Sequence, residues 1–152
     1  MDHKIKIISG GQSGVDRAAL AFALHYNMPC GGYCPKGRLA EDGPINNRFP
    51  LVETPLPSYP QRTEMNVKES DATLIIYHEE MDKGTKFTKE LAEKLKKPIL
   101  ELSFNKPIHT KEFRKWLKNN SIKTLNIAGP RESRSPGIYS KVWDSLHELF
   151  LD

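Results

Sequence analysis

The segment Ser9-Gly10-Gly11-Gln12-Ser13-Gly14-Val15-Asp16 places three glycines and two serines where an apolar run gives way to helical periodicity. Glycine lets a backbone pass close to an anion, and successive N–H groups ahead of a helix stabilise negative charge. This turn, with Gln12, Ser13 and Asp16, therefore predicts a cradle for a phosphate-bearing ligand. A tight turn that simply needs glycine is the competing reading. The spacing matches neither the GxGxxG dinucleotide fingerprint nor a P-loop, because no GK[ST] follows. Two further loops carry related chemistry. Lys83-Gly84-Thr85 opens another helix, and Gly129-Pro130-Arg131-Glu132-Ser133-Arg134 precedes the last one. Arg131 offers a planar charged fork suited to phosphate or carboxylate. Lys36, Arg38, Glu41 and Asp42 lie in a Gly- and Pro-rich stretch that suits a lid, or an ordinary solvated loop. Arg62 and Asn66 share a face of a polar helix, being one turn apart.

Strand-like and helix-like segments alternate around these loops. Short apolar runs at 4–9, 31–34, 72–77, 98–102 and 124–128 predict strands, with ATLIIY at 72–77 the clearest buried one. Helical periodicity is expected at 16–26, 60–69, 85–95, 110–118 and 137–150. Phe87, Leu91 and Leu95 form one expected inward stripe, and Ile138, Val142, Leu146 and Leu149 another. Trp116 and Trp143 fall on such stripes and read as core. Residues 35–57 read as a long loop, a feature that in compact domains is usually functional or mobile. Five strands alternating with helices imply one α/β domain over 1–152, a mainly parallel sheet with helices on both faces. In such a sheet ligands bind beyond the carboxyl ends of the strands, which is where all three loops fall.

Composition limits the function classes. The chain has 152 residues, 38% hydrophobic and 28% charged, with formal net charge +4. That charge suits a small anionic ligand, but no Lys/Arg block is dense enough to argue for nucleic acid. No apolar run approaches a membrane span and no signal-peptide pattern opens the chain, so a cytoplasmic setting is expected. Cys30 and Cys34 form a lone C-x3-C without a second ligand pair, which reads as small buried thiols and not as a metal site. The five histidines are scattered, with no spacing that argues for a triad.

The blocks SGGQSGVDRAAL (9–20), CPKGRLAEDGPI (34–45), QRTEMNVKESDATLII (61–76) and NIAGPRESRSPGIY (126–139) resemble the family of putative molybdenum carriers. That family is similar to a circularly permuted branch of the SLOG group of Rossmann-like nucleotide-ligand binders. In unpermuted relatives a strand ending in a Gly-x-Arg turn comes first and lies centrally. Here the similar segment, 126–139, comes last. The resemblance thus implies a Rossmann-like three-layer domain of sheet order 2-1-5-3-4, with the Gly10–Gly14 and Gly129–Ser133 loops side by side. A flavodoxin-like order, 2-1-3-4-5, is the alternative. Relatives in the group are often dimeric, which implies a homodimer.

The same group includes phosphoribohydrolases that use an arginine before one strand and GGxGTxxE after it. Arg62 and Gly84-Thr85 match parts of that pattern, but its glutamate position falls on Thr88, which cannot ionise. An N-glycosidic hydrolase needs such a carboxylate. The expectation is a binding or carrier protein for a phosphate-bearing, nucleotide-like ligand, with molybdenum cofactor or a nucleotide as candidates. No catalytic residue and no metal ligand is assigned. The backbone of residues 10–14 would hold phosphate, assisted by Ser13, Arg131 and Thr85, and Lys36, Arg38 and the Arg62 helix would close over the rest. Asp16, Asn66, Gly84, Gly129, Glu132 and Ser133 complete the expected ligand-binding set. The alternative is a nucleotide-processing hydrolase using Glu64 or Glu132.

Overall fold

The computed structural model describes residues 5–151. Five parallel strands form its centre: β1 (Lys6–Ile8), β2 (Cys30–Gly31), β3 (Ala72–Tyr77), β4 (Ile99–Ser103) and β5 (Thr124–Ala128). Their order is β2-β1-β5-β3-β4. The last strand in sequence lies at the middle, with Leu125 opposite Ile7 and Ile127 opposite Leu74. This is the permuted order, and it rules out the flavodoxin-like one. β3 is buried from Ala72 to Ile76, as an unbroken apolar run must be in a parallel sheet covered on both faces.

Five helices complete the layers: α1 (Val15–His25), α2 (Tyr59–Glu69), α3 (Lys83–Lys94), α4 (Thr110–Asn119) and α5 (Ile138–Leu151). α1 packs on α5 and α5 on α4, whereas α2 packs on α3. Ala72, Leu74 and Ile76 join the core under α1 and α5, and the strand's alternation sends Thr73 and Ile75 to the other face. The inward residues expected on α5, namely Ile138, Val142, Leu146 and Leu149, are all buried. Trp116 and Trp143 are partly buried against that core.

Several boundaries differ from the sequence reading. The strand expected at 4–9 is narrower, and its first residue lies outside the described residues. The second strand is Cys30–Gly31, not 31–34. At Gly32 the backbone takes a φ of 123°, and a Cβ there would stand 2.5 Å from the Ser9 carbonyl oxygen. The chain turns away, and Tyr33–Cys34 pairs with Val52–Glu53 in a separate two-stranded ribbon. Residues 35–57 are not structureless. A hairpin pairs Leu39–Ala40 with Gly43–Pro44, and buried Ile45 and Phe49 anchor the stretch against Leu20, Ala21 and Cys34. On α3 the buried face is Thr85, Thr88 and Ala92. Phe87, Leu91 and Leu95 are only half-buried, and Phe87 lies on the wall of the cleft at the sheet edge. Cys30 is half-buried and Cys34 buried, both as free thiols whose ionisation burial disfavours.

Candidate functional site

The winding direction reverses between β1 and β5, so their following loops meet. The Val15 N–H donates to the Pro130 carbonyl at 3.3 Å, and the Glu132 N–H donates to Ser13 Oγ at 3.1 Å. Gly14 permits this approach, since a Cβ there would lie 2.6 Å from the Pro130 oxygen. Gly129 is needed for the same reason, with the Ile76 carbonyl 2.1 Å from where its Cβ would stand. The loops thus lie side by side, as the permuted topology requires.

A cleft of about 280 Å³ opens at this edge, between the end of β5, the polar face of α2 and the start of α3. Gly10, Gln12 and Asp16 form one wall, Arg62 and Asn66 a second, Gly84 and Thr85 a third. Gly129 and Arg131 close the floor and rim. Nine of the residues expected from sequence therefore share one cavity.

Arg62 dominates its interior. Its guanidinium donates to the Gly10 carbonyl at 3.0 Å and pairs with Asp16 at 3.3 Å. Gly10 makes room for it, as a Cβ at that position would fall 2.0 Å from Arg62 Nη1. Burial pushes the Asp16 carboxyl above its ordinary range, which Arg62 opposes without cancelling. Two buried polar atoms on the residues lining the cleft, Arg62 Nε and Thr85 Oγ1, have no protein partner. Buried polar groups are rarely left so. At the start of α3, Asp82 accepts the Thr85 N–H at 2.9 Å and caps the helix. Gly84 beside it opens onto space, with no protein atom within 4 Å of an added Cβ.

Other expected residues serve elsewhere. Three N–H groups of the 10–14 turn and its exit are already taken internally: that of Gln12 by Asp16, that of Ser13 by the Gln12 side chain and that of Val15 by Pro130. A Cβ on Gly11 would meet Leu51 at 2.6 Å, so this glycine serves packing. Ser13, Gly14, Glu132 and Ser133 border a second, neighbouring recess and not the cleft. Lys36 is exposed and lines neither. Arg38 is consumed in holding its own loop, donating to the Leu51, Asn46 and Phe49 carbonyls at 3.2, 2.9 and 3.0 Å. Both ends of the Asn66 amide bind the Tyr33 backbone.

Neither carboxylate named for hydrolysis faces the cleft. Glu64 pairs with Lys68 on the α2 surface at 3.0 Å. Glu132 accepts the Gly137 and Tyr139 N–H groups at 2.6 and 3.0 Å and so holds the start of α5. Thr88 does line the cleft, its hydroxyl bonded back to the Gly84 carbonyl at 3.1 Å. Sequence reasoning missed Asn126, Thr63, Tyr59 and Phe87 on the cleft walls. Asn126 sits at a period-2 position in an apolar strand, where a polar residue was the available signal.

Among the described residues, no group of three His, Cys, Asp or Glu side chains could hold a metal ion, and no helix is long and apolar enough to cross a membrane. No curated protein matches the chain. A crystal structure described as that of a "Putative molybdenum carrier protein" from Syntrophus aciditrophicus SB is 45% identical, with a TM-score of 0.91. The match covers 97% of this chain and 94% of that one. Residues 7–150 match the model of the circularly permutated YpsA SLOG family. Fold order, juxtaposed loops and both comparisons agree, and the chain belongs to that family.

Proposed function

We propose that the cleft binds a phosphate-bearing, nucleotide-like ligand and carries it without cleaving it. The observation that carries this reading is the third wall of the cleft. There the start of α3, with open space over Gly84, lines the same cavity as Arg62 and Arg131, and the buried Thr85 hydroxyl has no protein partner. A helix N-terminus with flanking cations favours a phosphate. The phosphate therefore sits against Gly84 and Thr85, and the glycine turn at 10–14 acts as the supporting wall.

Molybdenum cofactor fits part of this site. Its phosphate matches the cationic rim, but no cysteine lines the cleft, so the metal would stay coordinated by the cofactor's own atoms. Binding rather than cleavage is supported by Thr88 in place of a glutamate and by the structural engagement of Glu64 and Glu132. A cytoplasmic setting accords with the free thiols.

A thermal-shift screen with nucleoside monophosphates, phosphorylated pterins and molybdate tests this. A ligand that binds the folded state raises the apparent melting temperature by mass action. The expected result is a shift with phosphorylated compounds that Thr85→Val and Arg131→Ala reduce. No shift with any of them, or release of free base from a nucleotide, would overturn the reading.

A further inference from the structure

The hairpin at residues 39–44 reaches over the glycine turn and delivers one carboxylate into a set of donors. Glu41 Oε2 accepts from the Ser13 hydroxyl and from the Ser133 N–H, the latter at 3.1 Å. Glu41 Oε1 accepts from the Ser133 hydroxyl and pairs with Arg131 Nε at 3.2 Å. A hydroxyl from each of two loops, a backbone N–H and a guanidinium thus converge on one anionic group. That donor set is the kind that binds a phosphoryl oxygen. Such convergence is unusual for an acidic side chain on an otherwise exposed loop. Arg131 belongs to the rim of the cleft, whereas Ser13, Glu41 and Ser133 border the recess behind it. The carboxylate therefore stands at the partition between the two cavities.

The rest of the hairpin is tethered mainly through polar contacts. The Glu41 N–H donates to Gln12 Oε1 at 2.8 Å, and Arg17 grips Asp42 through two bonds of 2.9 and 3.1 Å. Leu39 is 57% exposed, and within the hairpin Ala40 alone packs, half-buried, on the neighbouring apolar cluster. Gly37 and Gly43, both with positive φ and both open to space, flank it.

We infer that Ser13, Arg131 and Ser133 form an oxyanion subsite that Glu41 fills from within the chain, and that a phosphoryl group displaces Glu41 and releases the hairpin. The inference rests on the cleft reading to the extent that Arg131 serves both places. It makes the hairpin a latch whose closed state competes with ligand. When only a fraction of molecules is open, apparent affinity falls by that fraction.

The test measures binding of inorganic phosphate and, separately, of AMP by titration calorimetry. Wild type, Glu41→Ala, Glu41→Gln and the triple variant Glu41→Ala/Ser13→Ala/Ser133→Ala are compared. Removing the carboxylate is expected to tighten inorganic phosphate binding about tenfold, and the added serine changes to abolish the gain. Unchanged or weaker phosphate binding in both single variants, with cooperative urea unfolding retained, would overturn the subsite. If the single variants do not fold, hydrogen exchange on the wild type decides. Saturating phosphate should speed exchange at residues 38–45, and no change there sinks the proposal. The AMP arm separates this inference from the cleft reading. Phosphate gain without AMP binding by any variant leaves the subsite standing and removes the cleft reading. AMP binding that Thr85→Val weakens and Glu41 changes leave untouched does the reverse.

Discussion

At the scale of single residues, the energetics of the cleft centre on Arg62 and Asp16, which are nearly desolvated together. Removing one member of a buried pair strands the other charge, so Arg62→Ala is expected to cost about 3–5 kcal/mol in urea unfolding. Gly10→Ala attacks the same spot sterically, and overpacking of this kind costs about 1–3 kcal/mol. Asp16 also gives the molecule a pH dependence. Its folded carboxyl titrates above the ordinary value of 3.8, so the folded chain holds that proton to higher pH than the unfolded chain. The stability gained is complete below 3.8 and is lost as pH rises through the folded value. Asp16→Asn has no proton to lose. Stepped-pH unfolding should therefore show wild type losing ground against Asp16→Asn as pH rises across that window. A difference that stays flat would mean the carboxyl titrates normally. Arg62 was singled out less by its spacing from Asn66, since most charges on such a helix face are only solvated, than by its match to the arginine of the related phosphoribohydrolases. Glu41 was read only as part of a charged loop, because its partners lie 28 and 92 residues away. Arg38 misled for the complementary reason: composition cannot reveal three carbonyls folded around its own guanidinium.

At the scale of elements, α3 is where stability and binding are expected to separate. Gly84 is an early helical residue with empty space above it. Replacing glycine by alanine in a helix is worth up to about 1 kcal/mol. Gly84→Ala should therefore unfold at equal or higher urea while binding AMP more weakly, because the methyl group enters the cleft. Loss of stability without loss of binding would show that the glycine serves the helix and not the ligand. Asp82→Ala should behave oppositely, costing about 0.5–2 kcal/mol through the lost cap, with Asp82→Asn retaining most of it. Elements were legible where one periodicity prevailed. The apolar run of β3 and the stripe of α5 needed no tertiary information. The second strand was misplaced because it ends at Gly32, whose positive φ and close approach to the Ser9 backbone leave no room for a Cβ, and no local pattern records that approach. The α3 stripe was misassigned because this helix borders the cleft and buries Thr85 and Thr88, where sequence reading looks for large apolar residues.

At the scale of the whole molecule, the central position of β5 is the property that local sequence could least supply. Propensity identifies residues 124–128 as a strand, but only resemblance to the permuted family placed it between β1 and β3. That placement makes a prediction about connectivity. Ile5 borders the same recess as Leu149 and Phe150, so the two ends of the described chain lie on one side of the sheet. The turn after α4 is a suitable place to cut: Lys118 to Ser121 are exposed, and such sites tolerate new termini. A permutant that starts at Ser121, joins residue 152 to residue 1 through a short Gly/Ser linker and ends at Asn120 would make β5 the first strand. Every sheet neighbour of the natural chain would be retained. It should unfold cooperatively and bind AMP with affinity near that of the natural chain, since all cleft residues keep their elements. A chain truncated at Asn120 provides the contrast. It lacks the strand that pairs with both β1 and β3, and it should show no cooperative unfolding. If the permutant fails to fold while the truncated chain retains a cooperative transition, the last strand is not the keystone that the sheet order makes it.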